Sequence, residues 1–292
     1  MTPYHQPNPY TRRKFIYNLS CKAGFAALAV NGISSLAGCG TNEQQSEEKA
    51  TNEKGQHKLG IALVGLGGYS SGELAPSLKE TQHCYLSGIV TGSPDKAEKW
   101  KKQYNIPDKN IYNYQTFDSI KDNPDIDIVY VVLPNSMHAE YTIRAAKAGK
   151  HVICEKPMAV STEECESMIA ACKEVGKMLS IGYRLHFDPF HLEMMRLGQK
   201  KIYGPIKLIK AYNGMDGTSG WRLDKKLAGG GPLMDLGVYC IQGARYTTGL
   251  EPISVAAQEG PKTNKEMFKN IEETILWQME FPGGINADCM CS

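Results

Sequence analysis

A glycine-rich turn directly after a short apolar run constrains this chain more than any other feature of its sequence. Residues 61–64 read Ile-Ala-Leu-Val and are directly followed by Gly-Leu-Gly-Gly-Tyr over residues 65–69. The pattern predicts a buried strand that enters a tight turn, and then a helix. Gly65 permits the turn, and the glycines after it leave no Cβ in the way of a pyrophosphate at the helix N-terminus. Because Ser70 holds the last position of this fingerprint, the turn alone supports dinucleotide binding only weakly.

The segments after this turn alternate strands with helices. Apolar strands are predicted at residues 84–90, 126–133, 151–154 and 178–181, with helical segments between them. Such an alternation implies a right-handed, doubly wound parallel sheet. We therefore predict an α/β Rossmann domain over residues 58–182.

Beyond residue 182 the pattern changes. Helices are predicted at 188–197 and 233–248, and strands at 205–212, 253–258, 271–281 and 285–291. Strands that follow one another through short turns indicate antiparallel pairing. We therefore predict that residues 183–292 form an α+β domain with a mainly antiparallel, open sheet.

Composition excludes several classes of protein. A net charge of +2 spread along 292 residues leaves no basic stripe, so nucleic acid is not expected as a partner. The nine cysteines have irregular spacing and no CxxC pair, which indicates neither a disulfide framework nor a zinc site. We expect core thiols and no bound metal.

The first 38 residues predict an export signal. Arg12 and Arg13 are followed by Phe15 and by a moderately apolar segment over residues 23–36. An arginine pair in this position is typical of twin-arginine signals, which direct folded proteins to the periplasm. The alternative interpretation is a basic amphipathic helix. We expect the twin-arginine (Tat) export machinery to be a partner.

The sequence Leu-Ala-Gly-Cys at residues 36–39 resembles a lipobox. In that interpretation Cys39 is acylated and becomes the mature N-terminus, so a lipid anchors the protein to the membrane; the alternative is an incidental cysteine. Residues 39–57 are polar, with no apolar residue larger than alanine after Cys39, and predict a flexible tether. We therefore expect a periplasmic, membrane-anchored lipoprotein.

The end of the second strand indicates which nucleotide is bound. NAD-selective sites usually place an Asp or Glu there, to accept from the ribose 2′-hydroxyl. Here the position holds Thr91, with Ser93 two residues later and Lys96 in the first turn of the next helix. Hydroxyls and an ammonium suit a 2′-phosphate, which a carboxylate would repel. NADP is therefore favoured over NAD, the alternative being an ordinary turn with a solvated lysine.

Four motifs in this order carry a family resemblance. They are GLGGYS at the glycine turn, the segment LPNSMHAEYTIRAAKAGKHVICEKPMA, IGYRLHFDP, and WRL followed by LAGGGPLMDLGVY. The set resembles the Gfo/Idh/MocA oxidoreductase superfamily over residues 58–288, and within it the exported, NADP-containing glucose–fructose oxidoreductases. The resemblance to the glucose–fructose oxidoreductases rests on Tyr239, since many other members of the superfamily have histidine at that position.

The resemblance, together with the patterns above, designates three sets of site residues. The cofactor-binding candidates are Gly65, Leu66, Gly67, Gly68, Tyr69, Thr91, Ser93, Lys96, Leu133, Pro134, Asn135, His138, Glu155, Lys156 and Arg184. The substrate-binding candidates are Lys156, Arg184, His186, Trp221, Arg222, Asp235 and Tyr239. The catalytic candidates are Lys156, Asp235 and Tyr239.

The roles of the catalytic candidates are implied by the resemblance. Tyr239 would exchange a proton with the C1 or C2 oxygen of a sugar, and Lys156 and Asp235 would assist and orient it. A cis peptide is expected before Pro157. Each residue also has a plain structural interpretation: Asp235 as a carboxylate at a helix start, Tyr239 as a packed aromatic, and Lys156 as a solvated lysine. His138 also has a plain structural interpretation, as an ordinary residue in the first turn of a helix.

The implied activity is sugar oxidoreduction. Bound NADP would accept a hydride from C1 of an aldose, which gives a lactone, and would return it to a ketose such as fructose, which gives an alditol. A hydrolase or lyase that oxidises its substrate transiently is one alternative, and a non-catalytic nucleotide- and sugar-binding protein is another. Members of the superfamily continue past residue 292, so we expect a truncated C-terminal sheet, and a homo-oligomer, a dimer or tetramer, for the full-length form.

Overall fold

The computed structural model of the protein describes residues 57–292. The predicted export signal, the lipobox with Cys39 and all but the last residue of the predicted tether lie outside the described residues. The described strands, β1 to β10 in chain order, are Leu59–Val64, Cys84–Val90, Ile111–Tyr112, Ile128–Val131, His151–Cys154, Leu179–Ile181, Leu208–Asn213, Ser254–Glu259, Ile275–Phe281 and Ile285–Cys291.

Helices follow most of the strands up to β7, whereas β8, β9 and β10 follow one another without a helix. The helices α1 to α7 are Ala75–Glu80, Pro94–Tyr104, His138–Lys147, Thr162–Glu174, Pro189–Gln199, Lys225–Ala228 and Val238–Thr248. A π-helical turn precedes α1 at Ser70–Leu74, and another precedes α7 at Leu233–Gly237. Among residues 57–292, no helix combines the length and the apolar character needed to cross a bilayer.

The first sheet is parallel and doubly wound, as predicted. Its strand order is β3-β2-β1-β4-β5-β6, and every pairing in it is parallel. Val64 and Val131 of the central strands belong to one buried cluster with Met168 of α4, and Leu63 belongs to a second cluster with Trp100 of α2. Both faces of the sheet are thus covered by helices, which explains the continuous apolar runs in its central strands.

The second sheet is mixed and open, in the order β7-β10-β9-β8. The pairs β8–β9 and β9–β10 are antiparallel, whereas β7 and β10 run parallel. The prediction of a mainly antiparallel sheet is therefore confirmed. The strand predicted at 271–281 begins only at Ile275. The residues before it close a turn instead, because the Glu273 carboxylate accepts a hydrogen bond from the backbone N–H of Thr263 at 2.6 Å.

Helix α7 packs on one face of the second sheet. Cys240 and Ala244 are buried against Trp277, Met279 and Phe281. Side chains four residues apart share a helix face, so Cys240 and Ala244 both lie on the side that faces the sheet. The opposite side of this segment is free to present functional groups to the first domain. The packing of α7 therefore fixes the position of the catalytic candidates that precede and begin the helix.

Candidate active site

The glycine turn has the geometry that a dinucleotide requires. Gly65 has φ +93°, and a Cβ at that position would lie 2.4 Å from the carbonyl oxygen of Val132. A Cβ at Gly67 or Gly68 would meet nothing within 4 Å, so these two residues border open space. An open cradle of backbone at the start of a helix fits the pyrophosphate of a nicotinamide dinucleotide.

Ser70 explains the departure from the glycine fingerprint. Its side chain is fully buried, and its hydroxyl donates to the carbonyl oxygen of Gly65 at 2.6 Å. The hydroxyl therefore closes the turn from the inside. It occupies space next to strand β1, away from the open side of the turn, so the serine is compatible with a bound nucleotide.

A large cleft extends from this turn to the second domain. Its volume is about 1100 Å³, which is ample for a dinucleotide together with a small substrate. Most predicted site residues line it: Gly65, Leu66, Gly67, Gly68, Tyr69, Thr91, Lys96, Leu133, Pro134, Asn135, Glu155, Lys156, Arg184, Trp221, Arg222, Asp235 and Tyr239. The cleft lies at the carboxyl ends of the parallel strands, where ligands of doubly wound sheets bind.

The predicted ribose end of the cleft is built on the end of β2. Thr91 is buried there, and Lys96 reaches across the turn to donate from Nζ to the carbonyl oxygen of Leu66 at 3.3 Å. Ser93 does not line the cleft. It is the N-cap of α2, and its hydroxyl accepts from the backbone N–H of Lys96 at 3.4 Å. The structure shows this positioning role, and a direct contact with the cofactor stays a prediction.

His138 also lies outside the cleft lining. Its ring is buried, with Nδ1 2.8 Å from the carbonyl oxygen of Pro157 and Nε2 2.9 Å from that of Leu133. Burial lowers the pKa of His138, which favours the neutral ring. The residue thus fixes two lining segments from behind, and its predicted contact with the cofactor stays a prediction. The peptide between Lys156 and Pro157 is cis, as expected.

Glu155 is a buried carboxylate at the end of β5. Its Oε1 accepts from the hydroxyl of Tyr130 at 2.7 Å, and its Oε2 accepts from the backbone N–H of Lys156 at 3.2 Å. Burial raises the pKa of Glu155 above its usual value. A Cβ at Gly182 would lie 2.6 Å from Oε1, so this glycine, which the sequence marked only as a domain end, makes room for the carboxylate.

The catalytic candidates form one charged network. Lys156 Nζ donates to Asp235 Oδ1 and to the Asp235 carbonyl oxygen, each at 2.7 Å. Arg222 Nε donates to Asp235 Oδ2, also at 2.7 Å. Burial alone would raise the pKa of the Asp235 carboxyl, but the charge and hydrogen bond of Lys156 and the hydrogen bond of Arg222 outweigh it and lower that pKa. Asp235 is therefore ionised and links the two cations.

Tyr239 stands beside this network. Lys156 Nζ lies 4.9 Å from the centroid of the Tyr239 ring, a cation–π arrangement, and the ring of Tyr183 lies 5.7 Å away. The ammonium thus contacts the ring face of the tyrosine. This holds Tyr239 in the cleft, where its phenol can exchange a proton with a ligand hydroxyl or carbonyl.

The remaining substrate candidates divide into two groups. Arg184, Trp221 and Arg222 line the cleft, and the guanidinium of Arg222 lies 4.6 Å from the Trp221 ring. His186 does not line the cleft and has its ring 4.9 Å from that of Tyr246, and its predicted contact with a sugar stays a prediction. The nearby Asp188 is the N-cap of α5.

Sequence reasoning missed several lining residues. They are Glu73, Leu74, Ser77, Tyr114, Val132 and Gly182. Glu73 and Ser77 are four residues apart on the helical segment after the glycine turn, and that spacing could have placed both on the cleft face.

Comparison with known proteins agrees with this geometry. Residues 59–183 match an oxidoreductase family with an NAD-binding Rossmann fold, and residues 191–292 match the GFO/IDH/MocA C-terminal domain. The structure of aldose-aldose oxidoreductase from Caulobacter crescentus, complexed with glycerol, is 45% identical to the chain. That match covers 80% of this chain and 70% of the other, with a TM-score of 0.78.

Two relatives are similar in sequence. D-xylose 1-dehydrogenase [NADP(+)] of Haloarcula marismortui is 26% identical over 89% of this chain and 72% of the relative. The 1,5-anhydro-D-fructose reductase of Ensifer adhaerens is 32% identical over 56% of this chain, a match that spans 50% of the relative. The predicted resemblance is confirmed: the chain belongs to the Gfo/Idh/MocA family of NAD(P)-dependent oxidoreductases.

Proposed function

We propose that the protein is an NADP-dependent sugar oxidoreductase that oxidises an aldose at C1. The observation that carries this proposal is the network of Lys156, Asp235 and Arg222 beside Tyr239, at the end of the cleft where the two domains meet. It provides a phenol for proton exchange and a fixed positive charge close to it. Both are what the oxidation of a sugar hydroxyl requires.

Each residue has a distinct part in this mechanism. Tyr239 accepts the proton of the C1 hydroxyl as the C1–H bond is broken, and returns a proton when a carbonyl is reduced. Lys156 stabilises negative charge on the reacting oxygen, since its ammonium is held in the cleft by Asp235. Asp235 and Arg222 are positioning residues. When bound, the nicotinamide supplies the site that accepts and donates the hydride.

The second substrate balances the reaction. The aldose loses a hydride and a proton to become a lactone, and a sugar with a carbonyl gains both to become an alditol. The sequence favoured a ketose such as fructose as this acceptor. The 45% identical relative is named an aldose-aldose oxidoreductase, which supports a second aldose as well. We propose a sugar acceptor, with fructose and xylose as the first two to be tried.

NADP is the proposed cofactor. The end of β2 carries Thr91 with no carboxylate in its place, and the Lys96 ammonium lies at the same end of the cleft. One relative in sequence is named as an NADP(+) enzyme. A cation beside the ribose would attract a 2′-phosphate.

We propose further that the protein works outside the cytoplasm, as a lipid-anchored periplasmic enzyme. The support is the twin-arginine pair and the Cys39 lipobox in the sequence. A nucleotide retained through turnover suits such a place, because the acceptor sugar regenerates it without a free nucleotide pool. A homo-oligomer remains a prediction.

The variant Tyr239→Phe tests the proposed chemistry. We expect kcat for sugar oxidation to fall about 10²- to 10⁴-fold, the usual range for loss of a general acid–base group, while the nucleotide stays bound. Tyr212→Phe is the matched control, since Tyr212 is exposed on β7. Unchanged turnover by the Tyr239→Phe protein would contradict the proton-exchange role.

A further inference from the structure

Two cysteine thiols that are distant in the sequence meet beneath helix α7. Cys240 lies in the first turn of α7, and Cys291 is the last residue of β10. Their Sγ atoms lie 4.0 Å apart, although 51 residues separate the two positions in the chain. Both side chains are buried, with 3% of Cys240 and 0% of Cys291 exposed. The contact therefore belongs to the packing between the helix and the sheet.

The two thiols face each other because of the elements that carry them. Every second residue of β10 is buried against α7, namely Ala287, Cys289 and Cys291. Residue 291 is paired with a strand on each side, β9 and β7. Cys240 Sγ also lies 3.9 Å from the carbonyl oxygen of Met290, so this thiol points at the end of β10. The helix and the strand thus hold the two sulfurs close together.

Rotation of the side chains can close the gap between the sulfurs. The sulfurs of a disulfide lie about 2 Å apart, so the two thiols must approach each other by about 2 Å. A change of rotamer turns a cysteine sulfur through about 120° around the Cα–Cβ bond, which moves the sulfur farther than that. The two sulfurs can therefore reach bonding distance while the helix stays on the sheet.

The hydrogen bond between the thiols marks Cys240 as the nucleophile of the pair. The S–H group of Cys291 donates to Cys240 Sγ, which lowers the pKa of Cys240 although burial opposes this. The thiolate is the form of a cysteine that attacks a disulfide. Cys289 lies two residues before Cys291 on the same face of the strand, and burial raises its pKa to about 12. Cys289 is thus the natural comparison for Cys291.

We propose that Cys240 and Cys291 form a redox-active pair that closes to a disulfide between α7 and β10. The oxidant is a second disulfide, on a small molecule or on a protein. Cys240 attacks one sulfur of the oxidant and releases the other as a thiol, which gives a mixed disulfide. Cys291 then attacks the Cys240 sulfur and releases the second thiol. The pair loses two protons and two electrons, and the oxidant gains both.

The bond would tie the helix that carries Tyr239 to its sheet. Tyr239 directly precedes Cys240, so the disulfide fixes the backbone next to the proposed proton-exchange residue. A link between positions 51 residues apart also removes conformational entropy from the unfolded chain, which stabilises the folded one. An oxidising compartment favours the closed form, and the cytoplasm favours the open form. The inference goes beyond the proposed sugar chemistry and holds for any substrate of the cleft.

Mass spectrometry of the oxidised protein tests the pairing. The full chain with its nucleotide bound is purified in reductant, transferred to oxidised glutathione, and alkylated before digestion with trypsin. Trypsin separates residues 227–245, which hold Cys240, from residues 270–292, which hold Cys289 and Cys291. The oxidation is repeated in a low concentration of urea, so that transient opening of α7 admits the oxidant to the buried sulfurs. We expect the two peptides to be linked, and absence of the link under both conditions would overturn the proposal.

Two substitutions on the same face of β10 separate the pair from its neighbour. Cys291→Ala and Cys289→Ala each remove one buried thiol from the same cluster. We expect the linked peptide to disappear in Cys291→Ala and to persist in Cys289→Ala. A link that persists in a folded Cys291→Ala protein, or that disappears in a folded Cys289→Ala protein, would also overturn the proposal.

Thermal unfolding of the wild type gives a second readout that depends on no variant. We expect the Tm of the oxidised protein to exceed that of the reduced protein by at least about 5 °C, as for a disulfide that closes a long loop. Equal Tm values for the two forms would contradict a bond that ties the helix to the sheet. Neither measurement uses a sugar, so failure of the proposed oxidoreductase activity leaves both tests intact.

Discussion

The carboxylate of Asp235 has both of its oxygens occupied, and this decides what the residue can do. Oδ1 accepts from Lys156 and Oδ2 accepts from Arg222. A carboxylate whose pKa is lowered by two cations is a poor general base at neutral pH. The phenol of Tyr239 is therefore the group in the network that remains for proton exchange, and Asp235 orients its neighbours.

Substitution of Asp235 has a pH-dependent cost that follows from its lowered pKa. Asp235→Asn leaves Lys156 and Arg222 uncompensated, and we expect it to lower the unfolding free energy at pH 7 by roughly 1–3 kcal/mol, less than for a fully buried pair because Arg222 is partly exposed. The wild-type stabilisation is present above the pKa of an unfolded aspartate, about 4, and is lost as the pH falls through the lower folded value.

Urea denaturation of both proteins between pH 2 and 7 checks this sign. The difference in unfolding free energy should shrink as the pH falls below about 4. Asp95→Asn, at an exposed residue in the first turn of α2, is the control and should show a small difference. A difference between wild type and Asp235→Asn that grows toward low pH would refute the pairing.

The proposed selectivity for NADP rests at the residue scale on Lys96. Lys96→Glu places a carboxylate at the ribose end of the cleft, and we expect the Kd for NADP to rise at least tenfold while that for NAD falls. Lys99→Glu makes the same charge change on an exposed residue of α2 that does not line the cleft. Fluorescence titration of both variants measures the effect, and equal changes for both nucleotides would count against a 2′-phosphate contact.

At the scale of secondary-structure elements, helix α7 connects packing with chemistry. Its Cys240–Ala244 face lies on the second sheet, and Asp235 and Tyr239, just before and within the helix, line the cleft. A small shift of the helix therefore moves the catalytic candidates relative to Lys156. Since displacements of about an ångström can reduce catalysis strongly, α7 must be held rigidly.

Two neighbouring positions in α7 should respond in opposite directions. Ala244 is fully buried, and Ala244→Leu overpacks the helix–sheet contact at a cost of about 1–3 kcal/mol. A Cβ at Gly243 meets nothing within 4 Å, so Gly243→Ala should stabilise the helix by about 0.5–1 kcal/mol. Thermal unfolding monitored by circular dichroism measures both changes, and stabilisation by the leucine would show that the helix is loosely packed.

The elements that sequence could predict are those with strong local signals. The strands at Cys84–Val90, His151–Cys154 and Ile285–Cys291 were predicted to the residue, because apolar runs and turn residues mark both of their ends. The parallel pairing of β7 with β10 could not be predicted, since no hairpin joins them and their contact is set by the whole sheet.

The site was predictable where a motif specified it and less so where one side chain could serve two purposes. Ser93 has the residue type of a ribose contact and equally that of a helix cap, and the structure uses it as the cap. His138 and His186 were placed near a ligand by the family resemblance together with the sequence pattern. The His138 ring is buried against the Pro157 carbonyl oxygen, and the half-buried His186 ring packs on Tyr246, and both contacts join residues well separated in the chain.

At the scale of the whole molecule, the active site exists only because two domains meet. Lys156 follows β5 of the first sheet, and Asp235 precedes α7 on the second, 79 residues later in the chain. The nucleotide cradle belongs to the first domain alone. Cofactor binding and catalysis should therefore be separable by substitution, as Tyr239→Phe is designed to show.

The cellular location is testable on the same scale. Replacement of both Arg12 and Arg13 by lysine keeps the charge but removes the twin-arginine signature, and we expect the protein to remain in the cytoplasm. Lys14→Arg is the control that leaves the pair intact. Cys39→Ser should release the exported protein from the membrane fraction. Fractionation followed by immunoblotting measures both, and unaltered location in the lysine variant would contradict twin-arginine export.

The measurement that most directly tests the central claim uses the native protein purified without added nucleotide. Denaturation of one portion identifies any dinucleotide that the protein retains. To the other portion glucose is added, and then fructose or xylose, while the absorbance of the reduced nicotinamide is followed. We predict stoichiometric NADP that is reduced by the first sugar and reoxidised by the second. A bound nucleotide that no sugar reduces would contradict the proposed oxidoreductase.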